Sequence, residues 1–415
     1  MLTTARALSL KCPPSSTIRT HRTTTMDSSL FRTSSSPSSP QSSPPLREDY
    51  SRALENTISI EEWQGWGTSS QVPAMVAEVV EELKDLEVDM DDQMKFGGLG
   101  GKLKGNFKVQ EDKKHRATYQ ALIDSEKKLQ FFSARQIACR LLGSKGYLCQ
   151  KCWLAMEDCM CSKTKPSSLC PGIRFWLYMH PRDFLRQNNT GKLLWQIFGV
   201  QAATLCLYGI SEHEEFMWNT FKLAGRNMVW CLYPNKNATP KSVQDIVFHE
   251  SSACLEAQQT MRNGDNPLNF ILLDGTWNNS AAMFRRLKEQ SKLLLGEEDL
   301  PCISLSTPGV SAMHKLRPQP SWDRTCTAAA AIGLLSEMHL LPELSSHGLD
   351  KQADELENAL HTLLDALTTR RLRMGRSITR AVKGRNNVFL NTAKITNGTT
   401  AMDPRYTITK HKRIQ

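Results

Sequence analysis

Between residues 172 and 306 five short apolar runs alternate with amphipathic segments. The runs are GIRFWLYM (172–179), ATLCLYGI (203–210), NMVWCLYP (227–234), NFILLD (269–274) and PCISLS (301–306). Short continuous apolar runs closed by Gly, Pro, Asp or Ser predict buried strands. Helical segments separate several of them: TGKLLWQIFG (190–199), SVQDIVFHESSACLEAQQTM (242–261), NSAAMFRRLKEQSKLLL (279–295) and TCTAAAAIGLLSEM (325–338). Strands alternating with helices predict an α/β fold, a mostly parallel sheet with helices on both faces, over about 173–340.

Upstream, Val72, Met75, Val76, Val79, Val80, Leu83 and Leu86 fall on one helical face, which predicts an amphipathic helix over 73–90. FGGLGGKLKGNF (96–107) reads as a glycine-rich linker, and a second helix is predicted over 113–142. These pieces make an accessory helical region over 51–145, ahead of a core domain at 146–345. A charged amphipathic helix over 350–372 and a basic tail complete a C-terminal segment, 346–415. No internal repeat is evident.

Charge sharpens this division. The net formal charge is +10. Residues 1–47 carry six Lys/Arg against Asp27 alone, and residues 370–415 carry twelve against Asp403 alone, which leaves −6 for residues 48–369. Basic tails on an acidic body suit a grip on phosphate backbone, and equally a disordered, solubilising extension. The first 47 residues hold twelve Ser, eight Thr and six Pro. Such a segment cannot bury enough apolar surface to order itself. Its composition also fits an organelle transit peptide, which would send the chain to a plastid or mitochondrion; without that role the expectation is cytoplasm or nucleus. No apolar run approaches the roughly 18 residues of a membrane span, so no membrane association is expected.

Four cysteines, Cys149, Cys152, Cys159 and Cys161, lie within thirteen residues in YLCQKCWLAMEDCMCSK. C-x2-C followed six residues later by C-x-C can surround a tetrahedral zinc ion. Buried thiols behave as small hydrophobes, and this stretch is polar. The other eight cysteines are scattered without pairing, which fits a reducing compartment. Four protein ligands leave no open position, so the expected role is a structural knuckle, with Cys170 as a spare ligand.

The loops at the strand ends carry the remaining chemistry. One strand ends on Asp274, and open α/β sheets hold ligands at such carboxyl ends. A second strand ends near Met179 and is followed by His180-Pro181, Arg182, Asp183 and Arg186. Asn189-Thr190-Gly191 then opens a helix, where backbone N–H groups favour a carboxylate or phosphate, or where Asn189 or Thr190 merely caps it. A third loop, 306–325, holds Arg317, and a loop of that length in a compact domain is often functional.

In their order along the chain, these features resemble the DTW-domain family of tRNA-uridine aminocarboxypropyltransferases. The resemblance rests on Asp274-Gly275-Thr276-Trp277, the cysteine cluster, His180-Pro181, Arg186 with Asn189-Thr190-Gly191, and Leu316-Arg317. Two departures stand out: Asp183 occupies a position where the family has glutamate, and Ala329 replaces the glutamate of a Ser-Thr-x-Glu-Ala helix start. The resemblance implies a fold related to the SPOUT methyltransferases, with a knotted carboxyl-terminal part. It further implies S-adenosylmethionine as donor, tRNA as partner, and transfer of the 3-amino-3-carboxypropyl group to uridine N3. Asp274 is then the expected base or N3 orienter. Arg186, Arg317 and the Asn189–Gly191 helix start would hold the donor's carboxylate, and Thr276 and Trp277 would complete the donor site. Trp277 suits stacking on a base and equally a place in the core. Two other readings stay open: an S-adenosylmethionine-dependent RNA methyltransferase of the same fold, and a non-catalytic, zinc-stabilised RNA-binding protein.

Overall fold

The accessory helices come first. Helix α1 (Ile60–Gly65), which sequence periodicity did not single out, starts where Ser59 Oγ accepts the Glu62 N–H. Trp63 and Trp66 beside it are almost wholly buried. Helix α2 (Ala74–Asp89) buries Val76, Val79, Val80 and Leu83, the stripe read from the sequence. The computed structural model describes residues 58–97, 102–234, 241–247, 267–296, 299–306, 313, 316 and 324–378. The N-terminal basic segment, Arg317, most of the 306–325 loop, most of the helix expected over 242–261 and the basic tail beyond Ile378 lie outside the described residues.

The segment expected to be a linker and one helix folds differently. Phe96–Gly97 (β1) pairs antiparallel with Lys102–Leu103 (β2), and helix α3 (Gly105–Ala121) begins at once. Leu122 is extended, and α4 (Ser125–Leu142) starts anew from Asp124, whose carboxylate accepts the Glu126 N–H. An aspartate offering its own cap competes with continuation of the helix, so one predicted helix becomes two.

All five predicted strands form: β3 (Ile173–Met179), β4 (Ala203–Leu207), β5 (Val229–Leu232), β6 (Leu268–Asp274) and β7 (Cys302–Ile303). Their order is β4-β3-β6-β5-β7, every neighbouring pair parallel. The helices are α5 (Lys192–Phe198), α6 (Ser211–Ala224), α7 (Gln244–Val247), α8 (Trp277–Leu295), α9 (Thr327–His339) and α10 (Leu349–Arg373). Alternate strand residues face opposite ways. Phe175, Leu177 and Phe270 pack in one cluster with α5, α9 and α10, while Trp176, Tyr178 and Ile271 pack in a second with α6 and α8. Both faces are therefore covered, which is why the strands read as continuous apolar runs.

Polar groups join the accessory helices to the core. Arg286 on α8 pairs with Glu214 on α6 and reaches Glu126 in the first turn of α4 at 2.6 Å. Tyr178 donates to the same Glu214 at 2.6 Å. Helix α10 lies against α9 and α5. Among the described residues, no helix is long and apolar enough to cross a membrane.

Candidate functional site

Strands β3 and β6 lie side by side with Met179 opposite Asp274. From β3 the chain crosses to β4 on one side; from β6 it runs through α8 to β7, beyond β5 on the other. Where connections diverge in this way, a crevice opens at the carboxyl ends of the strands. His180 N–H donates to the Asp274 carbonyl at 2.9 Å and ties the two ends together.

The Asp274 side chain is 5 % exposed and held from two sides. Asn189 Nδ2 donates to Oδ2 at 2.8 Å, and Thr327 Oγ1 donates to Oδ1 at 2.9 Å. Asn189 Oδ1 in turn accepts the Lys192 N–H at 3.0 Å and caps α5, so one side chain serves helix and carboxylate together. Gly191 leaves the room this needs: a Cβ there would stand 2.2 Å from Asp274 Oδ2. Thr190 Oγ1 accepts the Ala328 N–H at 3.4 Å, which draws the start of α9 to the same place. The Asn-Thr-Gly triplet thus builds the surroundings of Asp274, and α5 is only seven residues long.

A cleft of about 270 Å³ opens beside Asp274. Leu232, Tyr233, Ile303 and Met313 give it apolar walls, and Asp183, Asn188 and Asn189 are polar groups on its lining. Trp277 lines it too and is half-buried, with the Arg324 guanidinium 4.3 Å from its ring centre. Thr276 starts α8 and does not line the cleft.

Asp183 is a second buried carboxylate, 4 % exposed. Its Oδ1 pairs with Arg186, while Oδ2 has no hydrogen-bond partner among the described residues. The sequence had marked it only as a departure from a pattern. Arg186 itself lies outside the cleft, on a neighbouring groove. Between them Leu185 takes a left-handed φ of 55°, a conformation costing roughly 1–2 kcal/mol that the surrounding packing must hold. Thr327 gave no local signal, because its contact with Asp274 spans 53 residues.

The cysteines meet as the spacing predicts. Their four sulfurs lie within 4.8 Å of one another, with Cys149–Cys161 at 3.7 Å and Cys152–Cys159 at 3.8 Å. Zinc–sulfur bonds of about 2.3 Å in a tetrahedron put sulfurs roughly 3.8 Å apart, so the donor set fits zinc in size and chemistry. Cys170 stands apart from the group. A hydrogen bond with Cys161 brings the Cys152 thiol down to about 5, and Cys152 in turn pushes the Cys161 thiol up. Four crowded thiols cannot all ionise unless a cation joins them. Trp153 within the cluster loop packs on Trp195 of α5, centres 5.0 Å apart, and so links the knuckle to the helix that carries Lys192. Lys192 is fully buried; burial pushes its ammonium down to about 7, and Nζ donates to the Gln187 carbonyl at 2.6 Å.

A family model described as DTW domain matches residues 146–372, just over half of the chain. No solved structure matches it.

Proposed function

The chain belongs to the DTW-domain family of tRNA-uridine aminocarboxypropyltransferases, and from that premise we propose that it transfers the 3-amino-3-carboxypropyl group of S-adenosylmethionine to N3 of a uridine in tRNA. The observation that carries this reading is Asp274, a buried carboxylate fixed by Asn189 and Thr327 at the rim of a cleft.

Uridine N3 is a weak nucleophile until it loses its proton. Asp274 accepts that proton as N3 attacks, and its fixed orientation keeps the oxygen on the attack line. The N3–carbon bond forms while the carbon–sulfur bond breaks. Its electron pair goes to sulfur, discharges the sulfonium and releases methylthioadenosine. The proton leaves Asp274 to solvent afterwards. The donor has three carbons on sulfur, and only the shape of the cleft decides which one meets N3. Leu232, Ile303 and Met313 suit the thioether and adenine surfaces, and Trp277 offers a stacking face worth roughly 1–3 kcal/mol for a base. Asp183 Oδ2 offers a buried acceptor to the donor's ammonium. Arg317 remains the proposed partner of its carboxylate. Thr327 and Ala330 of the α9 start border the cleft, and Ala329 supplies no carboxylate there. The four cysteines would hold a structural zinc. A SPOUT-related, knotted carboxyl-terminal part belongs to the same proposal.

Incubation with tRNA and S-adenosylmethionine tests the reading. Mass spectrometry should find aminocarboxypropyl-uridine and methylthioadenosine in equal amounts. S-adenosylhomocysteine with a methylated base would mark a methyltransferase instead, and donor binding without turnover a non-catalytic RNA binder.

A further inference from the structure

Beside the cleft runs a groove of about 690 Å³, walled by the loop after β3, by α4 and by the end of α10. Seven of its lining residues are Lys or Arg and none is Asp or Glu; four of them, Lys102, Arg140, Arg182 and Arg186, come from the segment 48–369, which is acidic overall. Arg370, one of the seven, is buried and engaged with Asp158 and Tyr147. The other six are Lys102, Arg140, Arg182, Arg186, Arg371 and Arg376. Arg140, Arg182 and Arg376 make no ion pair among the described residues. Burial, and then the nearby Arg186 and Arg182, push the Arg140 guanidinium down to about 10. Asp183 is taken up by Arg186 and Asp158 by Arg370, so the remaining cations outnumber the nearby acids and gain from a multivalent anion.

Two observations indicate which anion. Asn188 and Met313 line both the groove and the cleft, so the two are continuous. The Arg182 guanidinium sits over Phe132, 5.2 Å from its ring centre, so this wall already pairs a cation with an aromatic face. Repeated positive charge beside a pocket sized for a base matches an RNA strand that keeps its phosphates outside and turns one base inward.

We propose that this groove binds the phosphate backbone of the RNA strand flanking the uridine that enters the cleft. This rests on the reading of the cleft given above. Arg182, Arg371 and Arg376 would contact successive phosphates, and Arg186 would contact one phosphate while holding Asp183 in place. The contacts are to backbone, so they position the strand and carry no base preference.

The test compares tRNA binding by the wild type, by Arg182→Gln/Arg371→Gln/Arg376→Gln, and by Lys222→Gln/Lys288→Gln/Lys292→Gln, whose three cations do not line the groove. Each phosphate contact contributes about 0.7–0.9 to the log–log salt slope. The groove variant should bind tRNA roughly ten- to a hundredfold more weakly near 0.1 M salt, with a slope lower by about 2 to 3. Its S-adenosylmethionine affinity should stay that of the wild type, which also reports that it is folded. The control variant should keep most of the affinity.

Equal losses in both triple variants would overturn the proposal, since diffuse charge would then suffice. So would an unchanged slope in the folded groove variant. Loss of binding to phosphatidylserine vesicles with tRNA binding intact would assign the groove to a membrane surface and likewise end it. A wild type that binds tRNA through the groove but makes no modified uridine would keep the groove and sink the transfer reaction.

Discussion

Asn189, Thr327 and Gly191 all shape where the Asp274 side chain sits. Asn189 and Thr327 orient it by hydrogen bonds, and Gly191 makes room for it. Asp274→Asn keeps the shape and removes the basic oxygen, so transfer should fall about a hundred- to ten-thousandfold with thermal stability little changed. Wild-type turnover by that variant would end the case for a base. Gly191→Ala separates position from chemistry. The backbone at Gly191 is helical, with φ −58°, so alanine adds no backbone strain. Its Cβ instead displaces the carboxylate. Turnover should drop on the order of a hundredfold, as expected for a shift near 1 Å, while donor binding is kept. If Gly191→Ala turns over normally, the carboxylate has more freedom than its hydrogen bonds to Asn189 and Thr327 imply.

At the level of elements, the cysteine loop and α10 hold each other. Arg370 and Arg373 reach Asp158, and Arg373 also reaches Glu157 at 2.8 Å. The knuckle therefore anchors the helix whose end walls the basic groove. Cys149→Ser/Cys152→Ser should release the metal and lower stability by an amount on the order of several kcal/mol, because the thiolates are not arranged before metal binds. Metal analysis of the purified wild type should return one zinc per chain, and its absence would overturn the knuckle. Chelation should also weaken tRNA binding if α10 loosens, which a salt titration with and without chelator would detect.

Over the whole molecule, two buried histidines set an acid limit. Burial depresses both His180 and His213 to about 4, from an ordinary value near 6.5. His213 is held neutral between Ser70 Oγ at 3.1 Å and the Leu207 N–H at 3.2 Å. Between pH 6.5 and 4 the unfolded chain binds protons that the native state refuses, so stability rises with pH across that window and is lost as pH falls. Each histidine contributes at most about 1.4 kcal/mol per pH unit there. Denaturant midpoints should decline as pH falls below 6.5, and His213→Gln should make that decline shallower. The tail acts at the same scale. Truncation after Ile378 removes eight Lys/Arg and Asp403 while sparing Arg370 and Arg373, which are tied to the knuckle. The truncated protein should bind tRNA less tightly with a flatter salt dependence and unchanged donor affinity; identical tRNA binding would make the tail a solvated extension.

Strands, their ends and the cysteine cluster were legible because each depends on residues close together in the chain. A strand buried on both faces must be apolar throughout, and four ligands within thirteen residues need only one loop to meet. The break at Asp124 was harder, since the polar residues of α3 carry little periodicity. Only the tertiary structure decided the rest. It placed β6 between β3 and β5, and so set Asp274 beside the loop after β3. It brought Asn189 to Asp274 across 85 residues and Thr327 across 53. It turned Asp183 into the cleft, moved Arg186 to the groove, and joined α10 to that groove. Contacts between distant segments follow from how whole helices and strands pack. No local period in the sequence records them.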